Sequence, residues 1–379
     1  MKGFDTYEAL LEAAYGTGKP VRTLGYAPGA RPIISVRTGG DVDPPVLITA
    51  GAHATEHAGV CAAIELIDCL DTEHAVYIIP SRDPVGIDGF DAALNLTMDH
   101  NEMIQDVQMA NSLLDEESEV IYADETLRIG LIGDYAYAVT SLDSGGGVSV
   151  LHRLKAFTET HPDVLERMAG RRVYTAAGSR EIDGAAPFER TYTLVISPDG
   201  LPMHLNRFFT DEWAPPETRS IRRLMEEIKP GLTFDNHETT GHGDRFHVSL
   251  RPQRTTGGDK REAEVAAAIR KAVAGRGTTL ATDADVLDSP TRTVGHADES
   301  SRPEDGFYSR EHDGAYWVDP HLTDPPRLGE GLNATDFAAD EYGLAFTLEC
   351  GMYGSLQQRT ADAVASVQAG VDRFAAIHK

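Results

Sequence analysis

The sequence predicts an α/β fold: a mixed, largely parallel central sheet with helices on both faces and long insertions at its rim. Two apolar, β-branched runs at residues 46–50 and 75–80 flank a mostly apolar stretch at 59–70. Strand, helix and strand within about 35 residues are typical of a βαβ unit in a parallel sheet. Two later apolar runs, 232–235 and 344–349, end in acidic residues. Strands that deliver polar side chains to a crevice at one edge of the sheet have this pattern.

The other elements are predicted from the same periodicities and from proline positions. Pro216 fits a helix start and Pro230 follows its end, because proline lacks the N–H that a helix interior needs. Residues 275–343 are rich in loops, and Thr55 is the expected N-cap of the first buried helix. We expect one domain over residues 1–379 with an insertion at about 91–190. The further predicted strands and helices lie at 31–37, 162–168, 192–196, 216–228, 261–274 and 361–377.

Composition excludes several classes of partner. The chain of 379 residues is 41% hydrophobic and 25% charged, with a formal net charge of −26. Such acidity argues against nucleic acid and anionic membrane surfaces, which need clustered Lys and Arg. No apolar run reaches the roughly 18 residues of a membrane helix, and the acidic start does not resemble a signal peptide. With only three cysteines, the sequence favours a reducing, cytoplasmic setting.

The strongest functional signal is a set of metal-ligand residues at predicted strand ends. His53 and Glu56 follow the strand at 46–50, and His237 and Glu349 end the two later strands. Two histidines and one carboxylate leave a fourth position of zinc open for water, as in catalytic zinc sites. We therefore expect one zinc per chain on His53, Glu56 and His237, with Glu349 as general base.

A rival interpretation assigns different roles to the residues of this segment. His53, Glu56 and His57 also spell His-x-x-Glu-His, in which both histidines bind zinc from one helix and the glutamate is the base. That pattern needs His53 and His57 on one helical face. Gly51 and the preceding strand instead place His53 in a turn.

A second motif predicts a substrate with a carboxylate. Asn206 and Arg207 stand side by side before a helix. A guanidinium fork pairs bidentately with a carboxylate, and a neighbouring amide can add a hydrogen bond. We expect these two residues to hold a substrate carboxylate. Asp235 shares a strand face with His237, so it is a candidate to orient that histidine.

Six segments together resemble the zinc carboxypeptidases of the M14 type, in the superfamily of carboxypeptidase A-like and aspartoacylase-like enzymes. In chain order they are GAHATEHAG, IIPSRDPVGIDGF, LNRFF, PPETRSIRRL, FDNHETTG and FTLECGMYG. The resemblance implies that fold, the His-x-x-Glu ligand pair, the Asn-Arg clamp, the third His ligand and the catalytic Glu at the positions named above.

The sequence also departs from that family. His204 stands where the family often has an Asp that orients a zinc-binding His, and Phe208 stands where Asn is common. The family's mobile Tyr has three candidates here, Tyr308, Tyr316 and Tyr342, and Arg190 is a candidate for its oxyanion-stabilising Arg.

The predicted function is therefore zinc-dependent hydrolysis of an amide bond near a free carboxylate, as in a metallocarboxypeptidase acting on a peptide. The alternative is a zinc-dependent deacylase of N-acyl amino acids. A third class is a binding protein that keeps the crevice without turnover. Glu349 argues against this class, because inactive relatives commonly lack the base.

Overall fold

The structure is a computed structural model. It describes residues 3–99, 102–140, 147–177, 188–239, 243–252, 257–286, 308–312, 314–318 and 332–378.

Fifteen strands lie within these ranges and form two sheets. They are β1 (Val21–Ala27), β2 (Arg31–Gly39), β3 (Val42–Ala50), β4 (His74–Ile79), β5 (Glu119–Ala123), β6 (Leu127–Ile132), β7 (Tyr135–Thr140), β8 (Arg172–Ala177), β9 (Tyr192–Ile196), β10 (Pro202–His204), β11 (Leu232–Thr239), β12 (Phe246–Leu250), β13 (Tyr308–His312), β14 (Ala315–Val318) and β15 (Leu344–Gly351).

The helices lie between these strands. Those described are α1 (Tyr7–Gly16), α2 (His57–Cys69), α3 (Pro84–Leu94), α4 (Val107–Glu117), α5 (Gly147–Thr160), α6 (Pro162–Met168), α7 (Pro216–Ile228), α8 (Gly258–Gly275), α9 (Asp283–Val286), α10 (Ala334–Glu341) and α11 (Leu356–Ile377). No helix in this part of the chain is long and apolar enough to cross a membrane.

The larger sheet has nine strands in the order β1-β2-β4-β3-β11-β15-β12-β14-β13. The central strands β4, β3, β11 and β15 run parallel to one another, as do β12 and β14. The remaining neighbours are antiparallel. The predicted mixed α/β fold is confirmed, with the parallel pairs concentrated at the centre where the site residues were expected.

Apolar side chains cover both faces of this sheet. On one face Ile48, Phe234 and Phe346 are fully buried in a core shared with α2, α8 and α11. On the other face Leu47 and Ala345 contact a second core built with α7 and α10. Successive residues of a strand point to opposite faces, so central strands buried on both sides read as continuous apolar runs.

The smaller sheet has six strands in the order β10-β9-β8-β7-β6-β5. Most of it comes from the region of the expected insertion, but β9 and β10 extend it to His204. It has its own core with α5 and α6. A further apolar cluster packs α3 and α4 against β7 and β8. This sheet carries two residues that contact the candidate site.

One detail of the sequence interpretation was wrong, and one region holds more regular structure than expected. Glu56, not Thr55, occupies the N-cap position of α2, and its side chain makes no capping hydrogen bond. The region 275–343 contains α9, β13, β14 and α10 as well as loops.

Candidate active site

The expected site residues come together at the carboxyl ends of β3, β11 and β15. In the parallel register Asn236 of β11 lies beside Ala50, the last residue of β3. On the other side of β11, His237 lies beside Glu349 of β15. Neighbouring parallel strands end at the same edge of the sheet, so residues far apart in sequence meet there.

A tight turn brings His53 and Glu56 to this edge. Gly51 has φ 61°, a left-handed conformation that turns the chain sharply out of β3. The Glu56 amide then donates to the His53 carbonyl at 3.0 Å, which folds the glutamate back beside the histidine. Helix α2 begins at the next residue and packs closely on β11, since a Cβ at Gly59 would lie 2.8 Å from that of Asn236.

The candidate ligand atoms converge on one carboxylate. His53 Nδ1 is 2.6 Å from Glu56 Oε1, and His237 Nδ1 is 2.7 Å from Glu56 Oε2. One donor atom from each of the three residues lies within 4.8 Å of the others. Two imidazole nitrogens and a carboxylate oxygen suit zinc, and in both rings the second nitrogen is engaged elsewhere, which directs Nδ1 inward. The residues therefore fit a zinc ion.

Charged side chains of the larger sheet hold His237. Its Nε2 lies 2.8 Å from Asp235 Oδ2. Arg82 donates to both oxygens of that carboxylate, at 2.9 and 2.7 Å, and Thr49 donates to it at 2.8 Å. Arg82 and Asp235 are 2% and 0% exposed, so this is a buried ion pair, in which the Arg82 Nε alone has no hydrogen-bond partner among the described residues.

Neutral side chains of the smaller sheet hold His53. Its Nε2 lies 2.8 Å from Nδ1 of His204, at the end of β10. The ring of Tyr192, the first residue of β9, stacks on His53 with centroids 4.8 Å apart and planes 20° apart. The smaller sheet thus forms one wall of the candidate metal site.

The two histidines differ in charge as a result. Burial opposes protonation of both rings, and it lowers the pKa of His53. For His237 the carboxylates of Asp235 and Glu56 outweigh burial and hold the pKa well above its ordinary value. Burial and the nearby Arg207 hold the pKa of His204 well below the usual range, so that ring is neutral. The two histidines likewise outweigh burial on Glu56 and lower its pKa, so this carboxylate is ionised.

Glu349 and Arg207 lie at the open side of the cluster. Glu349 is the partly exposed residue of an otherwise buried β15 and faces the same side as His237. Arg207 is also partly exposed, and its guanidinium donates to the Asn206 carbonyl at 2.8 Å. Both charges act on the Tyr192 phenol.

Asn206 has different contacts from those its predicted role would need. Its amide nitrogen lies 3.2 Å from Asp235 Oδ2 and 3.0 Å from His237 Nε2. Its oxygen accepts from Arg82 at 3.1 Å and from the Ala334 amide at 3.3 Å. These contacts favour a role in orienting His237. Binding of a substrate carboxylate by Asn206 stays a prediction.

His57, the distinguishing residue of the rival His-x-x-Glu-His interpretation, is not in the cluster. It is the first residue of α2, and its Nε2 accepts a hydrogen bond from the Phe4 amide at 2.7 Å. His53 precedes the helix, so the two histidines do not share a helical face.

The structure shows the contacts of three candidates for the mobile Tyr and the oxyanion-stabilising Arg. Arg190 donates to the carbonyls of Ile87 and Phe4, and Tyr316 donates to the Ala281 carbonyl at 3.3 Å. Tyr342 packs on Phe337 at the end of α10. The side chain of Tyr308 lies outside the described residues. These contacts engage each of the three described side chains with groups other than the candidate ligands.

Sequence reasoning missed Arg82 and Tyr192. Arg82 could have been suspected, because a charged residue just after the buried strand β4 needs a buried partner. Tyr192 gave no signal, since an aromatic residue at a strand start is ordinary in sequence. Its contact with His53 is visible only in the folded structure, where the two sheets meet.

Fold and site together define an α/β protein with a buried two-histidine, one-carboxylate cluster at the carboxyl ends of parallel strands. No protein-family model matches the sequence, and no curated protein sequence matches it. Several solved structures are similar at low identity.

Three of these are metallo-carboxypeptidases. Carboxypeptidase A from Helicoverpa armigera has 13% identity and a TM-score of 0.47, covering 99% of this chain and 74% of that one. A metallo-carboxypeptidase from Pseudomonas aeruginosa, in complex with (2-guanidinoethylmercapto)succinic acid, has 14% identity and a TM-score of 0.47, covering 97% and 68%. One from Burkholderia cenocepacia has 12% identity and a TM-score of 0.46, covering 97% and 69%. At these values the likeness assigns no residue a role.

Proposed function

We propose that this protein is a zinc-dependent hydrolase that cleaves an amide bond next to a free carboxylate, as a metallocarboxypeptidase does. The convergence of His53, Glu56 and His237 within 4.8 Å supports the proposal most strongly, since three buried donors meet beside a partly exposed carboxylate. When bound, zinc would supply a Lewis acid and lower the pKa of water.

Glu349 is the proposed general base. It takes a proton from the attacking water as the new C–O bond forms, and returns that proton to the nitrogen as the C–N bond breaks. The products are then a carboxylic acid and an amine, with no covalent enzyme intermediate. Its strand neighbours are buried while Glu349 is partly open, so it can reach both water and substrate.

Arg207 is the proposed anchor for the substrate's carboxylate. A partly exposed guanidinium beside a buried metal cluster provides positive charge in a strongly acidic protein. A bidentate pair with a carboxylate would fix the distance from the scissile bond to the metal. A peptide C-terminus and an N-acyl amino acid both present such a group.

The test combines metal analysis with matched substrates. We expect one zinc per chain and hydrolysis of a peptide with a free C-terminus, with a loss of about 2–4 kcal/mol when that carboxylate is converted to an amide. Arg207→Lys should reduce kcat/KM for the acid much more than for the amide, whereas Arg223→Lys, an exposed substitution on α7, should change neither. Equal rates on acid and amide would reject Arg207 as the anchor.

Glu349→Gln tests the chemistry separately. It keeps the size of the side chain and should keep zinc, while kcat falls by roughly 10²–10⁴-fold because the proton acceptor is lost. Glu341→Gln, exposed at the end of α10, is the matched control. Near-native turnover in Glu349→Gln would reject the mechanism. Stoichiometric zinc without turnover of any acid would indicate a binding protein, and preference for N-acyl amino acids over peptides would indicate a deacylase.

A further inference from the structure

Tyr192 is held rigidly against the candidate metal centre by the smaller sheet. Its ring stacks on His53 and it is 5% exposed. Side-chain hydrogen bonds on β8 and on the preceding residue fix its backbone. Thr175 donates to the Tyr192 carbonyl at 2.9 Å, and Thr191 donates to the Thr175 carbonyl at 2.8 Å. The phenol is therefore preorganised before any substrate binds.

Its hydroxyl is available, unlike that of the neighbouring Tyr174. The Tyr174 hydroxyl is sealed inside the protein without a hydrogen-bond partner among the described residues. The Tyr192 hydroxyl is not sealed in this way, and no described residue accepts its proton. Since the rest of this buried side chain is covered, its small exposed fraction includes the hydroxyl.

The groups that surround the phenol are those of the proposed reaction. The charge of Asp83 acts on it, and so do those of Glu56, Arg207 and Glu349. The last three are one proposed ligand, the proposed carboxylate anchor and the proposed base. A hydroxyl near these three groups can reach a scissile carbonyl held between the proposed anchor and the proposed metal.

Hydrolysis of an amide places negative charge on the carbonyl oxygen, and a preorganised donor aimed at that oxygen is a large source of rate. Arg190, the sequence candidate for this role, donates its guanidinium hydrogen bonds to backbone carbonyls. We propose that the Tyr192 hydroxyl donates a hydrogen bond to the carbonyl oxygen as it becomes negative. No proton is transferred in this step. The inference rests on the proposed hydrolase function and adds a catalytic residue to it.

Tyr192→Phe is the decisive variant, because it keeps the ring on His53 and removes only the hydroxyl. We expect kcat to fall on the order of 10²–10³-fold with little change in KM, as for loss of one oxyanion donor. Zinc affinity, measured by chelator competition, should be unchanged. Tyr174→Phe is the matched control, since it removes a sealed hydroxyl in the same sheet, and it should change none of these quantities.

Inhibitor binding gives a second readout that does not depend on turnover. A phosphonate analogue of the peptide carries a tetrahedral anionic centre, and we expect Tyr192→Phe to weaken its binding by a similar factor. A simple carboxylic acid held by Arg207 alone should bind both proteins equally.

Three outcomes would count against this role. Native kcat in Tyr192→Phe would overturn it outright. Equal binding of the phosphonate to both proteins would do the same. A parallel fall of zinc affinity and kcat would show that Tyr192 acts through His53 rather than on substrate. Failure of the proposed function is distinguishable, because the native protein would then hydrolyse no amide at all.

Discussion

The two histidines of the candidate metal centre are held by opposite kinds of surroundings. His237 has a carboxylate partner two residues away on the same strand, and Arg82 pairs with that carboxylate from the loop after β4. His53 has a neutral partner, His204, which comes from the smaller sheet. Both partners fix the orientation of a ring, yet only one of them carries charge.

The difference teaches that the two sheets contribute different properties to one site. A carboxylate behind a ligand fixes its tautomer and raises its basicity, whereas a neutral imidazole fixes the tautomer alone. His237 is therefore the strong, charge-supported ligand of the pair. His53 depends on hydrogen-bond geometry and on stacking with Tyr192. Four substitutions test how far this contrast holds.

The largest effect should come from removing either ring. His237→Ala and His53→Ala each delete one of three proposed ligands, so both should lose most of the bound zinc and nearly all hydrolytic activity. We expect His237→Ala to bind zinc more weakly than His53→Ala, because it removes the ligand supported by Asp235. Elemental analysis after dialysis measures this. Stoichiometric zinc in either variant would reject the ligand set.

Replacing the partners separates charge from geometry. Asp235→Asn leaves Arg82 buried without its counter-charge, which typically costs about 3–5 kcal/mol of folding free energy. It should also weaken zinc binding by roughly 10–100-fold. His204→Asn keeps an oxygen that can accept from His53, so we expect a change in stability within about 1 kcal/mol. Denaturant unfolding and chelator competition measure both quantities, and equal losses in the two variants would remove the contrast.

The sequence predicted the larger sheet better than the smaller one, for a physical reason. Buried parallel strands such as β3, β11 and β15 must be apolar until they end, so their carboxyl ends and the residues beyond them are visible as breaks in the pattern. The turn residue Gly51 made the placement of His53 clear. The smaller sheet is less visible in the sequence because its strands are short and its edge strand β5 is largely exposed.

The partners of the candidate ligands were predictable only where they lie close to them in the chain. Asp235 was a candidate because it shares a strand face with His237. His204 was noticed only as a departure from a family pattern. Arg82 and Tyr192 were missed, since their contacts come from the ends of strands in different parts of the chain. Periodicity reports which face of a strand is buried, and it does not report which strand from elsewhere meets that face.

Asp83 provides a pH-dependent test of the region between the surroundings of His237 and those of His53. It follows Arg82 in sequence, and its charge acts on Tyr192. Burial raises the pKa of Asp83 to about 7 from an ordinary 3.8. Between about pH 4 and pH 7 the unfolded chain has lost this proton while the folded protein keeps it. The folded state therefore binds more protons, and stability should fall as pH rises through this window, then level off above it.

Asp83→Asn should remove that contribution. Asn is also a good helix cap, so the hydrogen bond from the Gly86 amide to this side chain can be kept. Between pH 4 and pH 7 we expect the free energy of unfolding of the variant to rise above that of the native protein by up to a few kcal/mol. Below pH 4 the two should differ little. Denaturant unfolding across this range measures the difference. A difference that is constant with pH would show that Asp83 is ionised in the folded protein.

The smallest effect on the metal should come from His57, the residue that a helical His-x-x-Glu-His site would require. Its ring holds the N-terminal segment through the Phe4 amide, and burial lowers its pKa to about 3. His57→Ala should therefore keep full zinc while losing about 1–3 kcal/mol of stability, because the partly buried Phe4 amide loses its acceptor. His57→Gln offers a replacement acceptor and should recover part of that loss. If His57→Ala lost its zinc while remaining folded, the helical interpretation would return, and the contrast between His53 and His237 would lose its basis.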